Sequence, residues 1–449
     1  MNQRRILEDL KRLVVQMKTR WRAGGEPDAV GAFSNHPSLK GNRSLMLDVA
    51  LEEYSIRKER GQEVDVAQFC SRFPEIQKSL MRQIDVFNYL DEIPDLFDEI
   101  DWPDAGDTLF GKFVVCEELG RGAASRVYLC RNESLGQRQV VLKLTAGNSH
   151  EAAVQGRLNH PAIMPVFSVN RTDQFTAICM PFRGRSTLCD LLDSAWKNPG
   201  VPPTTTDSVL IAANRQALAW DECDVTSQRQ MPLSVRTYTD CVREIAIELT
   251  AAIAHAHKHG VVHGDVKPSN VLLTTEGLPI LLDFNLSRDL HQGGRCRGGT
   301  LPYMSPEQLH FLAGNESDQA INEKSDLFSL GVMLYELLTG RLPFLPIDER
   351  GKVLSAEQML ESQRKGVVVP HLWNRDVDRT ISALVMQCLE LKPEARPASA
   401  SELLLALAIP RKSTQILTGN VDRPLRATTL AICAVLMFGV GLGIIAIYG

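Results

Sequence analysis

Two short strings in the middle of the chain carry the side chains best suited to chemistry. Residues 263–270 read His-Gly-Asp-Val-Lys-Pro-Ser-Asn, and an Asp-Phe-Asn string begins at Asp283, 18 residues after Asp265. Transfer of a phosphoryl group needs positioning and charge neutralisation from a protein rather than covalent chemistry. It requires a carboxylate that accepts a hydroxyl proton, a lysine that offsets charge, and a carboxylate and an amide oxygen that hold magnesium. These four groups are present as Asp265, Lys267, Asp283 and Asn270.

A glycine-containing segment upstream is suited to binding phosphate. It looks like a loop between two strands, where glycines would let backbone N–H groups approach phosphate oxygens. Two glycines in a hairpin are more often only a turn, and Ser125 stands where a third glycine is expected. The segment consists of Leu119, Gly120, Arg121, Gly122, Ala123, Ala124, Ser125, Arg126 and Val127.

A lysine follows this segment at the end of an apolar strand. Residues 140–143 read Val-Val-Leu-Lys, and burying Lys143 there would be costly without an anion beside it. A helical segment that begins at Glu151 could supply that anion. The alternative is a surface lysine and a solvated helix, which these residues alone leave open.

The elements that position these residues change type along the chain. Short strands begin at Phe113 and long helical periodicity follows Thr239, which predicts a small β-rich part and a larger helical part. Residues 194–235 lack periodicity and contain Pro-Pro and Thr-Thr-Thr, which predicts an irregular surface insertion.

Residues 1–82 predict a helical region. Apolar residues recur at helical spacing from Ile6 to Trp21, so this helix packs on the protein or, as the alternative, lies on anionic lipid. Residues 24–43 are rich in Gly, Pro, Asn and Ser and predict a loop. Residues 83–112 predict an extended acidic linker, because nine acidic residues and neither Lys nor Arg lie between 83 and 111.

Composition limits the class of partner. A net charge of −5 argues against a nucleic-acid-binding protein, which needs an excess of positive charge. The ten cysteines are scattered without a C-x-x-C pair, so we expect small buried hydrophobes in a reducing compartment rather than disulfides or metal ligands.

The C-terminal segment predicts a membrane anchor. Residues 427–448 are 22 residues without a charge, about 33 Å as a helix, which is enough to cross a bilayer; a buried core helix is the alternative. No signal peptide is recognisable at the N-terminus. Basic residues in the juxtamembrane segment 408–426 predict a single-pass protein of the cell membrane with everything upstream in the cytoplasm. Gly439 and Gly443 have the spacing that could pair two such helices into a homodimer.

The strings above, with several others in the same order, resemble the bacterial eukaryotic-like (Hanks-type) serine/threonine protein kinases. Residues 299–307 resemble the end of an activation segment, and residues 326–331 resemble the buried helix that anchors a catalytic loop. Arg396 resembles the usual ion-pair partner of Glu307. A lysine at position 267 resembles the pattern of serine/threonine rather than tyrosine kinases. The Asp-Phe-Asn string resembles that of planctomycete kinases.

The resemblance implies an α+β, two-lobed kinase fold over residues 113–407, with a small β-rich lobe (113–182) and a large helical lobe (183–407). It implies ATP as phosphate donor, Mg²⁺ or Mn²⁺ as metal, and Ser/Thr hydroxyls of protein substrates as acceptors. The implied catalytic residues are the base Asp265 and its companion at the γ-phosphate, Lys267. The implied metal ligands are Asn270 and Asp283. The implied ATP-binding residues are the glycine-containing segment together with Val141, Lys143, Glu151, Met180, Phe182 and Leu272.

The chain departs from the family pattern at several positions. Gly264 replaces the arginine before the catalytic aspartate, and Asn285 replaces a glycine, although asparagine tolerates positive φ. Val141 replaces an alanine over the adenine, and Gln155 stands where the family stacks an apolar residue. None of these changes removes a catalytic group.

Three activities are compatible with this pattern: an active protein kinase, a nucleotide-binding pseudokinase scaffold, and a small-molecule kinase. The last is disfavoured because residues 299–307 imply a platform for peptide docking. Gly264 offers no cation to an activation-loop phosphate, and no Ser, Thr or Tyr lies between Arg288 and Gly299. We therefore expect control without phosphorylation of this loop.

Overall fold

The structure is a computed structural model whose elements are known for most of the chain up to residue 409. All labelled elements belong to one unit, Met1–Ala408. The described residues are 10, 13, 14, 16–18, 20–41, 43–77, 80, 81, 84, 102–121, 125–147, 151–172, 174–198, 200–207, 209, 212, 237–284, 287–289, 299–314, 321–346 and 354–409.

The N-terminal region has its own apolar core. Val14 and Trp21 of the predicted amphipathic helix are buried in it, so this helix packs on protein. The prediction of a loop over 24–43 is wrong, because Asp28 caps a helix by accepting a hydrogen bond from the Gly31 N–H at 2.9 Å. The labelled helices here are α1 (Ala29–Asn35), α2 (Arg43–Glu59) and α3 (Val66–Ser71).

The small lobe is a six-stranded antiparallel sheet with the order β1-β2-β3-β4-β6-β5. Alternate residues of these strands face a buried apolar cluster that includes Phe113, Tyr128 and Leu142. One short helix, α4 (Glu151–Gln155), follows β4. The strands are β1 (Thr108–Leu109), β2 (Phe113–Arg121), β3 (Ser125–Asn132), β4 (Arg138–Ala146), β5 (Ser168–Arg171) and β6 (Phe175–Pro181).

The last part of the predicted acidic linker belongs to this lobe. Trp102 stacks on Phe175 with ring centroids 6.5 Å apart, and the Arg126 guanidinium lies 4.9 Å from the Trp102 ring. Leu109 pairs with Phe113 in the sheet. An extended linker is therefore wrong for 102–112, because apolar side chains hold this stretch against the sheet.

The large lobe is built around two long helices. Helix α6 begins with a capping box at Thr237, and every residue of α8 from 325 to 339 is buried. Two short strand pairs, β8 with β9 and β7 with β10, carry the loops of the site. The helices are α5 (Leu188–Ala195), α6 (Tyr238–Lys258), α7 (Pro306–Leu312), α8 (Glu323–Thr339), α9 (Ala356–Arg364), α10 (Pro370–Trp373), α11 (Arg379–Cys388) and α12 (Ala400–Ala408). The strands are β7 (Val261–Val262), β8 (Val271–Leu273), β9 (Pro279–Leu281) and β10 (Arg288–Asp289).

The predicted insertion 194–235 is not wholly on the surface. Helix α5 extends through Ala195, and Trp196, Val209 and Ala212 are buried in the core of the large lobe. The Ala212 carbonyl accepts a hydrogen bond from the Ser186 hydroxyl at 2.7 Å. These apolar residues are too few and too widely spaced to give a periodic signal in the sequence.

The described cysteines are all free thiols. Burial raises the pKa of the Cys130, Cys241 and Cys388 thiols to about 12, so they remain protonated and behave as small hydrophobes. Among the described residues, no helix combines the length and the hydropathy that a membrane crossing needs. The predicted span 427–448 lies outside them.

Candidate active site

The loop that carries Asp265 is held from below by one buried aspartate of α8. Asp326 accepts hydrogen bonds from the backbone N–H groups of His263 and Gly264, each at 2.8 Å, and its carboxylate lies 2.8 Å from His257 Nε2. Burial would raise the pKa of Asp326, but these partners outweigh burial and hold that pKa below its ordinary value. The Gln308 side chain donates to the Gly264 carbonyl at 2.8 Å. Hydrogen bonds therefore fix both the N–H and the carbonyl of Gly264.

Asp265, Lys267 and Asn270 converge at the top of this loop. Lys267 Nζ lies 2.6 Å from the Asp265 carboxylate. Asn270 Nδ2 donates to the carbonyl and the carboxylate of Asp265 at 2.9 and 3.1 Å. Thr300 joins them, because its hydroxyl donates to Asp265 Oδ1 at 3.1 Å and accepts from Lys267 at 2.5 Å. A carboxylate and an ammonium thus face the segment that contains Thr300.

Lys143 is buried with two carboxylates. Its Nζ lies 2.7 Å from Glu151 Oε1 and 2.6 Å from Asp283 Oδ1, and the lysine is 5% exposed. Burial alone would lower the pKa of Lys143, but Asp283 and Glu151 outweigh burial and raise it, so the lysine stays charged. The contact between Lys143 and Glu151 that the sequence suggested is present, and Asp283 completes it.

Asp283 has an unusual backbone. Its φ is +62°, a left-handed conformation that costs an aspartate of order 1 kcal/mol and that clusters at functional sites. The next residue, Phe284, is buried with its ring 4.8 Å from the His263 ring. Packing of this ring thus fixes the direction in which Asp283 points. Asn285 lies outside the described residues.

Three of the predicted adenine-binding residues, Val127, Val141 and Met180, share one face of the small sheet. Val127 pairs with Lys143 across β3 and β4, and Val141 pairs with Met180 across β4 and β6. Directly paired residues project to the same face. Met180 also packs on the buried cluster that contains Leu272 of β8. Val127, Val141, Met180 and Leu272 therefore form one apolar group beside Lys143, which we call the apolar slot.

Other members of the predicted site are placed less completely. Leu119 and Phe182 are half-buried, in β2 and directly after β6. Gly120 and Arg121 end β2, while Ser125 and Arg126 begin β3. Residues 122–124 (Gly122, Ala123 and Ala124) lie outside the described residues.

Asn270 and Asp283 form a donor set that fits a divalent cation. Asn270 uses its amide nitrogen on Asp265, so its amide oxygen is the atom that it can offer a cation. Asp283 offers a carboxylate held in place by Lys143. Oxygen ligands of this kind suit Mg²⁺, which keeps several waters and phosphate oxygens besides one or two protein groups.

Two contacts that sequence reasoning missed flank the site. Arg185, which follows β6, makes a bidentate ion pair with Glu117 of β2 and so links the two lobes. Gln155 of α4 donates to the Met164 carbonyl at 2.6 Å. The first contact joins residues 68 positions apart and leaves no signal in one sequence. The second was visible only as a polar residue at an apolar position.

The fold and the site together are those of the protein kinase class. Residues 113–406 match the family described as protein kinase domain, and the chain belongs to this family. A probable serine/threonine-protein kinase of Streptomyces coelicolor is 27% identical over 315 residues, 66% of this chain and 39% of that protein. Serine/threonine-protein kinase PknB of Mycolicibacterium smegmatis is 27% identical over 316 residues, 66% of this chain and 42% of that protein.

A third relative, serine/threonine-protein kinase PknD of Chlamydia felis, is 25% identical over 324 residues, 65% of this chain and 30% of that protein. The chain thus aligns with only 30 to 42% of the length of these three relatives. The relatives support the resemblance to bacterial Hanks-type kinases. The likeness to planctomycete kinases stays a prediction.

Proposed function

We propose that this chain is a serine/threonine protein kinase that transfers the γ-phosphate of ATP to hydroxyl groups of protein substrates. The observation that carries the proposal is the convergence of Asp265, Lys267 and Thr300, together with the buried Lys143–Asp283 pair. One group of side chains can receive a hydroxyl, and the other can receive phosphates. The proposal places the catalytic domain at 113–407.

Each side chain has a separate task in this proposal. Asp265 accepts the proton of the substrate hydroxyl and orients its oxygen, and Lys267 offsets charge on the transferred group. Lys143, kept charged by its two carboxylates, grips the α- and β-phosphates. Asn270 and Asp283 would hold Mg²⁺, which when bound would neutralise negative charge on the phosphates. The apolar slot around Met180 takes the adenine.

The test is incubation of the purified chain with labelled ATP, Mg²⁺ and a generic basic protein, followed by phosphoamino-acid analysis. Label on serine or threonine that depends on Mg²⁺ is the expected result. Thermal stabilisation by nucleotide without transfer of label would instead identify a pseudokinase scaffold. Label on tyrosine alone would contradict the serine/threonine assignment.

We also propose that residues 427–448 anchor the kinase to the cell membrane with its catalytic domain in the cytoplasm. The support is the uncharged length of this segment and the basic residues before it. Deletion of 427–449 should move the protein from the membrane pellet to the soluble fraction. A truncated chain that still pellets with membranes would contradict the proposal and turn attention to the N-terminal helix. Pairing through Gly439 and Gly443 predicts that the intact chain cross-links as a dimer in membranes.

A further inference from the structure

Helix α4 is too short to hold its own position. It has five residues, Glu151–Gln155, of which four are buried. Isolated helices below about 12 residues are marginal in water, so a helix of this length is placed by its tertiary contacts. Because Glu151 pairs with Lys143, the contacts that place α4 also place a carboxylate of the site.

Gln155 provides the polar contact at the other end of α4. The side chain is 1% exposed, and its Nε2 donates to the Met164 carbonyl at 2.6 Å. The same nitrogen lies 3.9 Å from the Met180 sulfur. A buried amide is costly unless it is hydrogen-bonded, so this bond fixes the side chain in one orientation.

The acceptor of that hydrogen bond is itself tied to strand β9. The Met164 N–H donates to the Leu281 carbonyl at 3.0 Å, and the Leu281 N–H donates to the Ala162 carbonyl at 2.8 Å. Leu281 is the last residue of β9 and stands two residues before Asp283. A continuous chain of hydrogen bonds therefore runs from α4 through Met164 to β9, the strand that precedes Asp283.

Lys143 closes this chain into a ring. Its ammonium contacts Glu151 at one end of α4 and Asp283 beyond the end of β9. The distance between the two carboxylates is set partly by these ion pairs and partly by the path through Gln155. Loss of the Gln155 bond would leave the placement of α4 to its apolar packing and to the contacts of Glu151, which include Lys143.

We propose that Gln155 is a positioning residue of the kinase reaction. It locks α4 to the strand before Asp283, so that Glu151 and Asp283 hold Lys143 between them before nucleotide binds. The inference rests on the proposed function.

The first test is Gln155→Met, which keeps an unbranched side chain of similar size and removes the donor. We expect kcat to fall about tenfold because Lys143 loses its orientation, with KM for ATP changed less than about threefold, since the apolar slot is intact.

The matched control is Asn374→Leu. Asn374 is 1% exposed and donates to the Leu338 carbonyl at 3.0 Å, far along the chain from α4. It should lower the melting temperature similarly and leave kcat within twofold.

The second test is a double-mutant cycle with Glu151→Ala. If Gln155 acts through Glu151, Gln155→Met should lower kcat less than twofold further in the Glu151→Ala background. Multiplicative effects, or wild-type kcat in Gln155→Met, would overturn the proposal. Hydrogen exchange of residues 151–158 gives a readout independent of activity, and it should be faster in Gln155→Met and unchanged in Asn374→Leu. Unchanged exchange in Gln155→Met would also overturn the proposal, whereas a wild-type chain without phosphotransfer would refute the proposed function instead.

Discussion

Substitution of Arg396 tests how α7, the helix that contains Glu307, is anchored. The Arg396 guanidinium uses all five N–H donors: two on the Glu307 carboxylate at 2.7 and 2.9 Å, and one each on the carbonyls of Lys324, Glu390 and Leu391. Its side chain is 0% exposed. Burial alone would raise the pKa of Glu307, but Arg396 outweighs burial and holds that pKa below its ordinary value.

Arg396→Met removes these donors and leaves the Glu307 carboxylate buried with the Ser325 hydroxyl at 2.7 Å. Removal of one partner from a buried ion pair costs roughly 3–5 kcal/mol. At about 2–4 °C per kcal/mol for a domain of some 200 residues, the melting temperature should fall by roughly 6–20 °C. The double variant Glu307→Leu/Arg396→Met should recover part of this loss, since no uncompensated charge remains.

The assay is thermal and urea-induced unfolding of the purified chain. The matched control is Arg364→Met, which breaks an ion pair with Glu361 whose side chains are 59% and 63% exposed. Exposed pairs contribute about 1 kcal/mol or less, so the control should unfold within about 4 °C of wild type. A loss below about 1 kcal/mol in Arg396→Met, or equal losses in the two variants, would refute the assignment of this pair as a buried anchor.

Three further predictions follow from other contacts. Glu117→Arg and Arg185→Glu should each separate the two lobes and so raise KM for ATP roughly threefold to tenfold. The double charge swap should restore KM, and additive effects of the two substitutions would contradict this prediction. The folded-state pKa of Glu307 is below its unfolded value, so the stability that this carboxylate contributes is complete above about pH 4.3 and is lost as the pH falls through the folded pKa. In Glu307→Gln the melting temperature should therefore fall less steeply with decreasing pH in this acid range than in wild type. The same steepness in both proteins would contradict this prediction. Phosphatase treatment should leave kcat within about twofold, and a fall of more than about tenfold, roughly 1.4 kcal/mol, traced to a phosphate within 283–307 would contradict control without loop phosphorylation.

Structure also explains why a glycine suits the position before Asp265. Gly264 has a φ of +80°, a conformation that disfavours side chains with a Cβ atom. Its N–H and carbonyl are both engaged, by Asp326 and Gln308. Gly264, which stands where the family has an arginine, thus adopts this backbone conformation next to Asp265 without strain.

The chemistry of the site was predictable because most of it is local in sequence. Asp265, Lys267 and Asn270 lie within six residues of one another, and the turn around Pro268 brings them together without help from distant parts of the chain. Lys143 could be paired with Glu151 because a buried lysine demands an anion. Its second partner, Asp283, is 140 residues away and required the fold.

The wrong predictions for residues 24–43, 102–112 and 194–235 have a common physical cause. Trp102 in an acidic stretch, the helix after Asp28 and the buried Val209 are all positions where one or two apolar side chains decide the structure. Such contacts give no periodic pattern, so composition dominates the prediction. The helix that was predicted to begin at Glu151 is present as α4, and it is held by packing around Gln155 rather than by its own helix propensity.

The most direct test of the account is the activity of Asp265→Asn measured beside its nucleotide affinity. The substitution keeps the size of the side chain and a hydrogen-bonding oxygen for Thr300, but it removes the group that accepts a proton. General-base catalysis contributes about 10²–10⁴-fold, so kcat should fall by at least about a hundredfold, while the Kd for ATP changes less than about threefold. Phosphate transfer at the wild-type rate by Asp265→Asn would contradict the account.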